Sequence, residues 1–146
     1  MKVEFHTGVG DETGFACRLL RKAYRMGTPV LVRAPAAVLA RLDRELWTFA
    51  EREFIAHLRF AQPGPMPAAA SRTPIWLVDG ERPAAGPAVM VNLGAGLPSS
   101  LDGLERIIEI VARDAEAERG GRERWRAYRA LGIEVQHHNR QEARDG

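Results

Sequence analysis

The first 34 residues read as a strand, a helix and a second strand. The opening KVEFH alternates like a strand, residues 13–26 place apolar side chains at helical spacing, and VLVRA after Pro29 is a short apolar run typical of a buried strand. A strand–helix–strand unit of about thirty residues favours a parallel, right-handed crossover. Because the rest of the chain continues this alternation, the sequence predicts an α/β fold.

The predicted architecture is a single three-layer domain, with a mostly parallel sheet and helices on both faces, and it is Rossmann-like. A second helix is predicted over 36–49, and further strands in FIAHLRF, PIWLVD and AVMVNL. A third helix is predicted over 101–117, with Leu104, Ile107, Ile108 and Val111 facing inward. Gly120-Gly121 should end it, and a shorter helix should then run to Gly132 before a final strand in IEVQ. We expect the domain to span 1–136 and a polar C-terminal tail to occupy 137–146.

Length and composition are typical of a soluble globular protein. At 146 residues the chain is long enough to bury a core, and Cys17 is its one cysteine, so no intrachain disulfide can form. No signal peptide opens the chain, and no apolar run approaches a membrane span. These features predict a cytoplasmic protein with no membrane partner.

A glycine-rich turn after the first strand raises the possibility of nucleotide binding. Gly8, Gly10 and Gly14 precede a predicted helix, but their spacing is GxGxxxG, and Asp11 and Glu12 stand where a phosphate would approach. Carboxylates at a helix N-terminus oppose an anion there. We therefore expect a structural turn. A small nucleotide-binding protein or enzyme of the same fold class remains the alternative.

Catalytic and metal sites have little support in the sequence. A nucleophilic Cys17 would need a histidine close to it in the fold, and His6 and His57 are the candidates. His137 and His138 supply too few ligands for a metal. We expect no catalytic residue, no cofactor and no metal.

The strongest local signal is the basic, aromatic stretch RERWRAYRALG. Residues 119–129 hold five arginines and one acid. On a helix, four side chains share one face: Arg122, Trp125, Arg126 and Arg129. Tyr128 and Leu131 point elsewhere and can anchor the helix to the sheet. Such a face is either a solvated charged surface or a site for an acidic partner with a hydrophobic side chain, and direct nucleic-acid binding is a third possibility.

A second aromatic cluster lies in LWTFAEREFIAHLRF. Trp47 and Phe54 sit near the predicted ends of elements, where exposure is common. Exposed aromatic side chains of this kind mark interaction surfaces.

Four stretches together carry a family resemblance. They are KVEFH, RMGTPVLV, RLDRELWTFAEREFIAHL and RERWRAYRALG. In their order and spacing the chain resembles the chi subunit of bacterial DNA polymerase III, an accessory protein of the clamp loader, over almost its full length. The resemblance implies one α/β domain without catalysis or cofactor.

The resemblance also implies partners and site residues. Family members bridge the clamp loader, through the psi subunit, to the acidic C-terminal tail of single-stranded-DNA-binding protein, which ends in Pro-Phe; contact with DNA is mainly indirect. The positions that match tail contacts are Arg122, Trp125, Arg126, Val111 and Trp47, and we assign Arg129 to the same site. Phe54 matches a residue on the side that binds psi or a repair helicase.

Four positions depart from the family pattern. Trp125-Arg126 stands where the family often has Tyr-Lys, which keeps an aromatic ring and a cation. Glu118 occupies a position that is basic in the family, with Arg119 beside it, and Ala56 replaces a proline.

Overall fold

The computed structural model describes residues 1–49 and 53–140. Its strands are β1 (Lys2–Val9), β2 (Val30–Arg33), β3 (His57–Gln62), β4 (Ile75–Gly80), β5 (Val89–Asn92), β6 (Arg106–Ala112) and β7 (Val135–Asn139). Its helices are α1 (Glu12–Arg25), α2 (Ala36–Thr48), α3 (Ala115–Ala130) and a short 3-10 helix, Ala68–Arg72.

The seven strands form one sheet in the order β3-β4-β2-β5-β6-β1-β7. Every strand pair in it is parallel. Helices α1 and α2 pack on one face, where their buried side chains are Ala16, Cys17, Leu20, Leu39, Leu42 and Leu46. Helix α3 packs on the other face through Tyr128 and Trp125. The predicted three-layer α/β fold is therefore confirmed.

The three elements of the first strand–helix–strand unit form as predicted, although β1 and β2 are not neighbours, because β5 and β6 lie between them in the sheet. Asp11 caps α1, its carboxylate accepting a hydrogen bond from the backbone N–H of Gly14 at 3.0 Å. Gly27 follows the helix with φ of +72°, a left-handed conformation that favours glycine. Local capping and apolar spacing agree here, so sequence and structure agree.

The predicted helix over 101–117 is wrong, because residues 106–112 form β6. This strand lies inside the sheet between β5 and β1, with Ile107 and Val111 buried on the α3 face and Ile108 and Ile110 on the other. A strand buried on both faces is apolar at nearly every position. Such a run resembles the stripe of a buried helix, although its β-branched residues favour a strand.

The predicted break at Gly120-Gly121 is also wrong, because α3 runs through both glycines. Helix and sheet approach closely at this point, and a glycine allows that approach. At the C-terminal end, Leu131 was expected to anchor the helix, but it is 64% exposed. Tyr128 is fully buried and does anchor it, as predicted.

Two strand boundaries differ from the sequence prediction. β3 begins at His57, so Phe54 precedes the strand. β7 continues to Asn139, where the sequence predicts a polar tail from residue 137. His137, His138 and Asn139 pair with β1, and backbone pairing of this kind is available to polar residues at a sheet edge. Residues 141–146 of the predicted tail lie outside the described residues.

In the described part of the chain, no helix is both long and apolar enough to cross a membrane.

Candidate functional site

Helix α3 is well capped at both ends. The carboxylate of Asp114 accepts a hydrogen bond from the backbone N–H of Ala117 at 2.8 Å, and Glu116 and Glu118 lie in the first turn. Arg129 lies in the last turn, and Gly132 follows with φ of +77°. Acids at the start and a cation at the end complement the helix dipole, so this charged sequence forms a stable helix.

A buried polar cluster fixes α3 on the sheet. The Glu109 carboxylate, in β6, has no solvent exposure. Arg124 Nε donates to its Oε1 at 2.9 Å, and Tyr128 Oη donates to its Oε2 at 2.7 Å. Asn92 Nδ2 in β5 also donates to Oε2, at 3.0 Å. These bonds satisfy a carboxylate that would otherwise be costly to bury, and they fix the rotation of the helix.

Gly121 sets the distance between α3 and β6. A Cβ atom at this position would lie 3.0 Å from Cγ2 and 3.2 Å from Cγ1 of Val111. The missing side chain lets the helix backbone rest against the strand. Val111 is thereby brought next to the exposed face of the helix.

Between α3 and the β1–β7 edge lies a cavity of about 520 Å³, which we call the α3 groove. Its apolar lining comes from Phe5, Val111 and Trp125, and Arg122 and Arg126 stand at its rim. The Trp125 ring is half-buried, with its centroid 5.0 Å from that of Phe5. The groove thus combines an aromatic surface with two exposed guanidinium groups.

His137 of β7 closes one side of the α3 groove. Its ring meets that of Trp125 edge-on, with centroids 5.6 Å apart, and its Nε2 is 2.6 Å from Thr7 Oγ1 in β1. Glu118 also lines the groove. Two arginines therefore outweigh one carboxylate, and the groove can bind a carboxylate ligand that carries an apolar side chain.

The structure brings together four of the sequence-predicted site residues. Arg122, Trp125, Arg126 and Val111 all line the α3 groove. Arg129 shares their helix face but lies one turn further on, beside a separate hollow next to Gly132.

Trp47 is not among the residues that line the α3 groove. It lies on α2 and is 56% exposed, and its ring centroid is 5.3 Å from that of Phe54, which is 62% exposed. It also contacts the ring of His57, the first residue of the edge strand β3. The grouping of Trp47 with the helix residues is therefore not seen. Trp47 and Phe54 form one exposed aromatic pair at the β3 edge.

Sequence reasoning missed His137, Phe5 and Thr7 as groove residues. Their signal is the alternation of a strand, which points every second residue to the same face. This alternation is visible in the sequence of β1, but the polar run His-His-Asn in β7 shows no alternation of apolar and polar residues.

The glycine turn offers little to a phosphate. The hollow beside it is lined by Asp11, Glu12, Glu45 and Asp114, against two guanidinium groups. Burial and the neighbouring carboxylates raise the pKa of Glu12.

Cys17 is fully buried in α1. Burial raises the pKa of its thiol to about 12, so it is not a thiolate at neutral pH. Among residues 1–49 and 53–140, no cluster of three or more His, Cys, Asp or Glu side chains could hold a metal ion.

Comparison with known proteins agrees with the resemblance. The family model of the DNA polymerase III chi subunit, HolC, matches residues 1–136. The DNA polymerase III subunit chi of Pseudomonas aeruginosa is 30% identical over 124 residues, which cover 84% of this chain and 82% of that protein. The chain therefore belongs to the chi subunit family of DNA polymerase III.

Proposed function

We propose that this chain is a non-catalytic accessory subunit of the DNA polymerase III holoenzyme. It links the clamp loader, through a psi subunit, to the acidic C-terminal tail of single-stranded-DNA-binding protein. The observation that carries the proposal is the α3 groove, where an aromatic floor lies directly beside two exposed arginines. Family membership adds the setting of DNA replication.

The chemistry of the groove fits a peptide that ends in Pro-Phe after several aspartates. The terminal Phe ring packs against Trp125 and Val111, and burying such a side chain contributes about 1.5–3 kcal/mol. The terminal carboxylate and the aspartates meet Arg122 and Arg126. Charged hydrogen bonds contribute about 1.5–3 kcal/mol each, and the loss of freedom on association offsets part of the total.

A titration with a labelled tail peptide tests this site. Arg126→Ala should weaken binding by about 10- to 150-fold, as expected for a charged hydrogen bond. Trp125→Ala should remove the apolar contact as well. Arg72→Ala is the matched control, because Arg72 is exposed on the short 3-10 helix and does not line the groove. Equal losses in Arg126→Ala and Arg72→Ala would contradict the proposed site.

Salt dependence checks the electrostatic part separately. Exposed charges are screened as ionic strength rises, since the Debye length falls from about 10 Å at 0.1 M to about 3 Å at 1 M. Peptide affinity should therefore drop as salt is raised to about 0.5 M. An unchanged affinity would mean that arginine–carboxylate contacts do not hold the peptide.

The aromatic pair Trp47–Phe54 is the second partner surface in this proposal. Both rings are more than half exposed and lie at the β3 edge, whereas the α3 groove lies at the β1–β7 edge. Exposed aromatic side chains are typical anchors of protein interfaces. This surface fits psi or a repair helicase.

Separate loss of function tests the two surfaces. Phe54→Ala should weaken binding of a psi-like or helicase partner and leave the peptide titration unchanged. Arg126→Ala should weaken peptide binding and leave binding of the psi-like or helicase partner unchanged. If Phe54→Ala lowered both activities while circular dichroism showed an intact fold, the surfaces would not be independent.

A nucleotide-binding protein or small enzyme is the alternative function. The carboxylates around the start of α1 disfavour it, because they repel phosphate. Millimolar ATP or NAD should leave the melting temperature unchanged, since a ligand of the folded state would raise it. A shift of several degrees, abolished by Gly10→Val, would favour the alternative instead.

A further inference from the structure

A second concave surface lies on the opposite face of the β1–β7 edge. Strand alternation sends Phe5 and His137 into the α3 groove and sends His6 and His138 to the other side of the sheet. There they line a cavity of about 460 Å³ beside α1, which we call the α1 groove. No part of the proposed tail site uses this surface.

The α1 groove is strongly basic. Four cationic side chains line it, from α1, β6 and the residue after β7: Arg18, Lys22, Arg106 and Arg140. Glu4 is the one carboxylate among its lining residues, and it is already bonded to Arg106 at 3.0 Å and to Lys2 at 3.3 Å. The groove therefore carries a net positive charge toward solvent.

Two stacked imidazole rings form a flat surface in this groove. The centroids of His6 and His138 are 4.9 Å apart and the rings are 13° from parallel. His6 is buried and accepts a hydrogen bond from Arg140 Nε at 3.0 Å, while His138 is exposed. Burial, together with Arg140 and His138, lowers the pKa of His6 to about 4, so the inner ring is neutral at neutral pH.

Two of the cations are held in place by a third ring. The guanidinium carbons of Arg18 and Arg140 lie 5.8 Å and 5.6 Å from the centroid of Phe15. This spacing is that of cation–π contacts, which restrict two otherwise flexible side chains. The charges therefore border the imidazole stack in a defined arrangement.

We propose that the α1 groove binds single-stranded nucleic acid directly. A positively charged groove that follows a phosphate backbone, with flat rings on which unpaired bases stack, is the usual form of such a site. The exposed ring of His138 supplies the stacking surface, and Arg18, Lys22 and Arg140 supply the phosphate contacts. An acidic protein segment would use the same charges but would gain little from a stacked imidazole pair.

Fluorescence anisotropy with a labelled (dT)20 oligonucleotide at low salt tests the proposal. His138→Ala should weaken binding about fivefold or more, as for the loss of one stacked base. Arg18→Gln/Lys22→Gln should weaken it further and reduce the dependence of log affinity on log salt by about 1.4, since each lost contact removes about 0.7. The matched control, Arg122→Ala/Arg126→Ala, should keep oligonucleotide binding within about twofold.

Two further measurements test which nucleic acid binds and whether the α1 groove is independent of the α3 groove. A duplex of the same length should bind more weakly, because its bases cannot stack on His138. The tail peptide should bind Arg18→Gln/Lys22→Gln normally, so this proposal can fail while the tail site stands. Any of three results would overturn the proposal. They are the absence of (dT)20 binding, loss of (dT)20 binding only in Arg122→Ala/Arg126→Ala, and displacement of the oligonucleotide from the α1 groove by an acidic peptide.

Discussion

At the scale of single residues, Glu109 fixes the position of α3 although it touches no solvent. Its carboxylate holds Arg124 and Tyr128 of α3 and Asn92 of β5. Removing one partner of a buried ion pair leaves an uncompensated charge, which costs about 3–5 kcal/mol. Glu109→Ala should lower the free energy of unfolding by about that amount in urea denaturation. Glu105→Ala, at an exposed glutamate nearby, should change it by less than about 0.5 kcal/mol.

His6 gives the protein a pH dependence with a definite sign. Its pKa is about 4 in the folded chain and 6.5 in a model peptide, so protons bind the unfolded state more readily. Its contribution to stability is complete above pH 6.5 and is lost as the pH falls toward 4. The free energy of unfolding should fall by about 2 kcal/mol between pH 7.5 and 5. In His6→Gln the free energy of unfolding should change much less over this pH interval. An equally steep fall in the variant would exclude His6 as the cause.

At the scale of elements, the sequence predicts correctly those helices and strands whose signals are local. The β1–α1–β2 unit has a side-chain cap, a left-handed glycine and clean apolar spacing, and all three are local. β6 has no such signal, because burial on both faces removes its alternation. The arginine–tryptophan face of α3 was predictable from helical spacing. Its combination with Phe5 and His137 depends on which strands lie under the helix, and sequence spacing does not give that.

A glycine can end a helix or can let a helix pack closely against a strand, and Gly121 does the second. The pair Gly120-Gly121 indicates a helix end in the sequence, yet α3 runs through it so that the helix can approach Val111. Alanine usually favours a helix by up to about 1 kcal/mol over glycine. At position 121 the added methyl meets buried strand methyls, while at 120 the nearest atom is the end of Arg124, 3.1 Å away.

Adjacent alanine substitutions test this close approach. Gly121→Ala should be less stable than Gly120→Ala by about 1 kcal/mol or more, because overpacking a well-packed contact costs about 1–3 kcal/mol. Thermal unfolding of the two variants measures the difference. Adding Val111→Ala to Gly121→Ala should recover part of the loss. If both glycine variants were equally stable, close packing would not explain Gly121.

At the scale of the whole molecule, the β1–β7 edge is where both proposed grooves meet. β7 contributes His137 to the α3 groove and His138 to the α1 groove through its parallel pairing with β1. A chain ending at residue 136 should therefore lose affinity for tail peptide and oligonucleotide together and melt several degrees lower. A chain ending at residue 140 keeps all of β7 and should retain both activities. Full tail-peptide binding by the shorter chain would show that β7 is not part of the site.

The tryptophan indole signals in a ¹H–¹⁵N NMR titration test the tail site most directly. The chain has three tryptophans: Trp125 in the α3 groove, Trp47 at the β3 edge and Trp76 buried in β4. Adding the acidic peptide that ends in Pro-Phe should shift the Trp125 indole N–H and leave the other two in place. In Arg126→Ala the same shift should need a higher peptide concentration. A titration that moves the Trp47 signal while that of Trp125 stays fixed would contradict the α3 groove as the tail site.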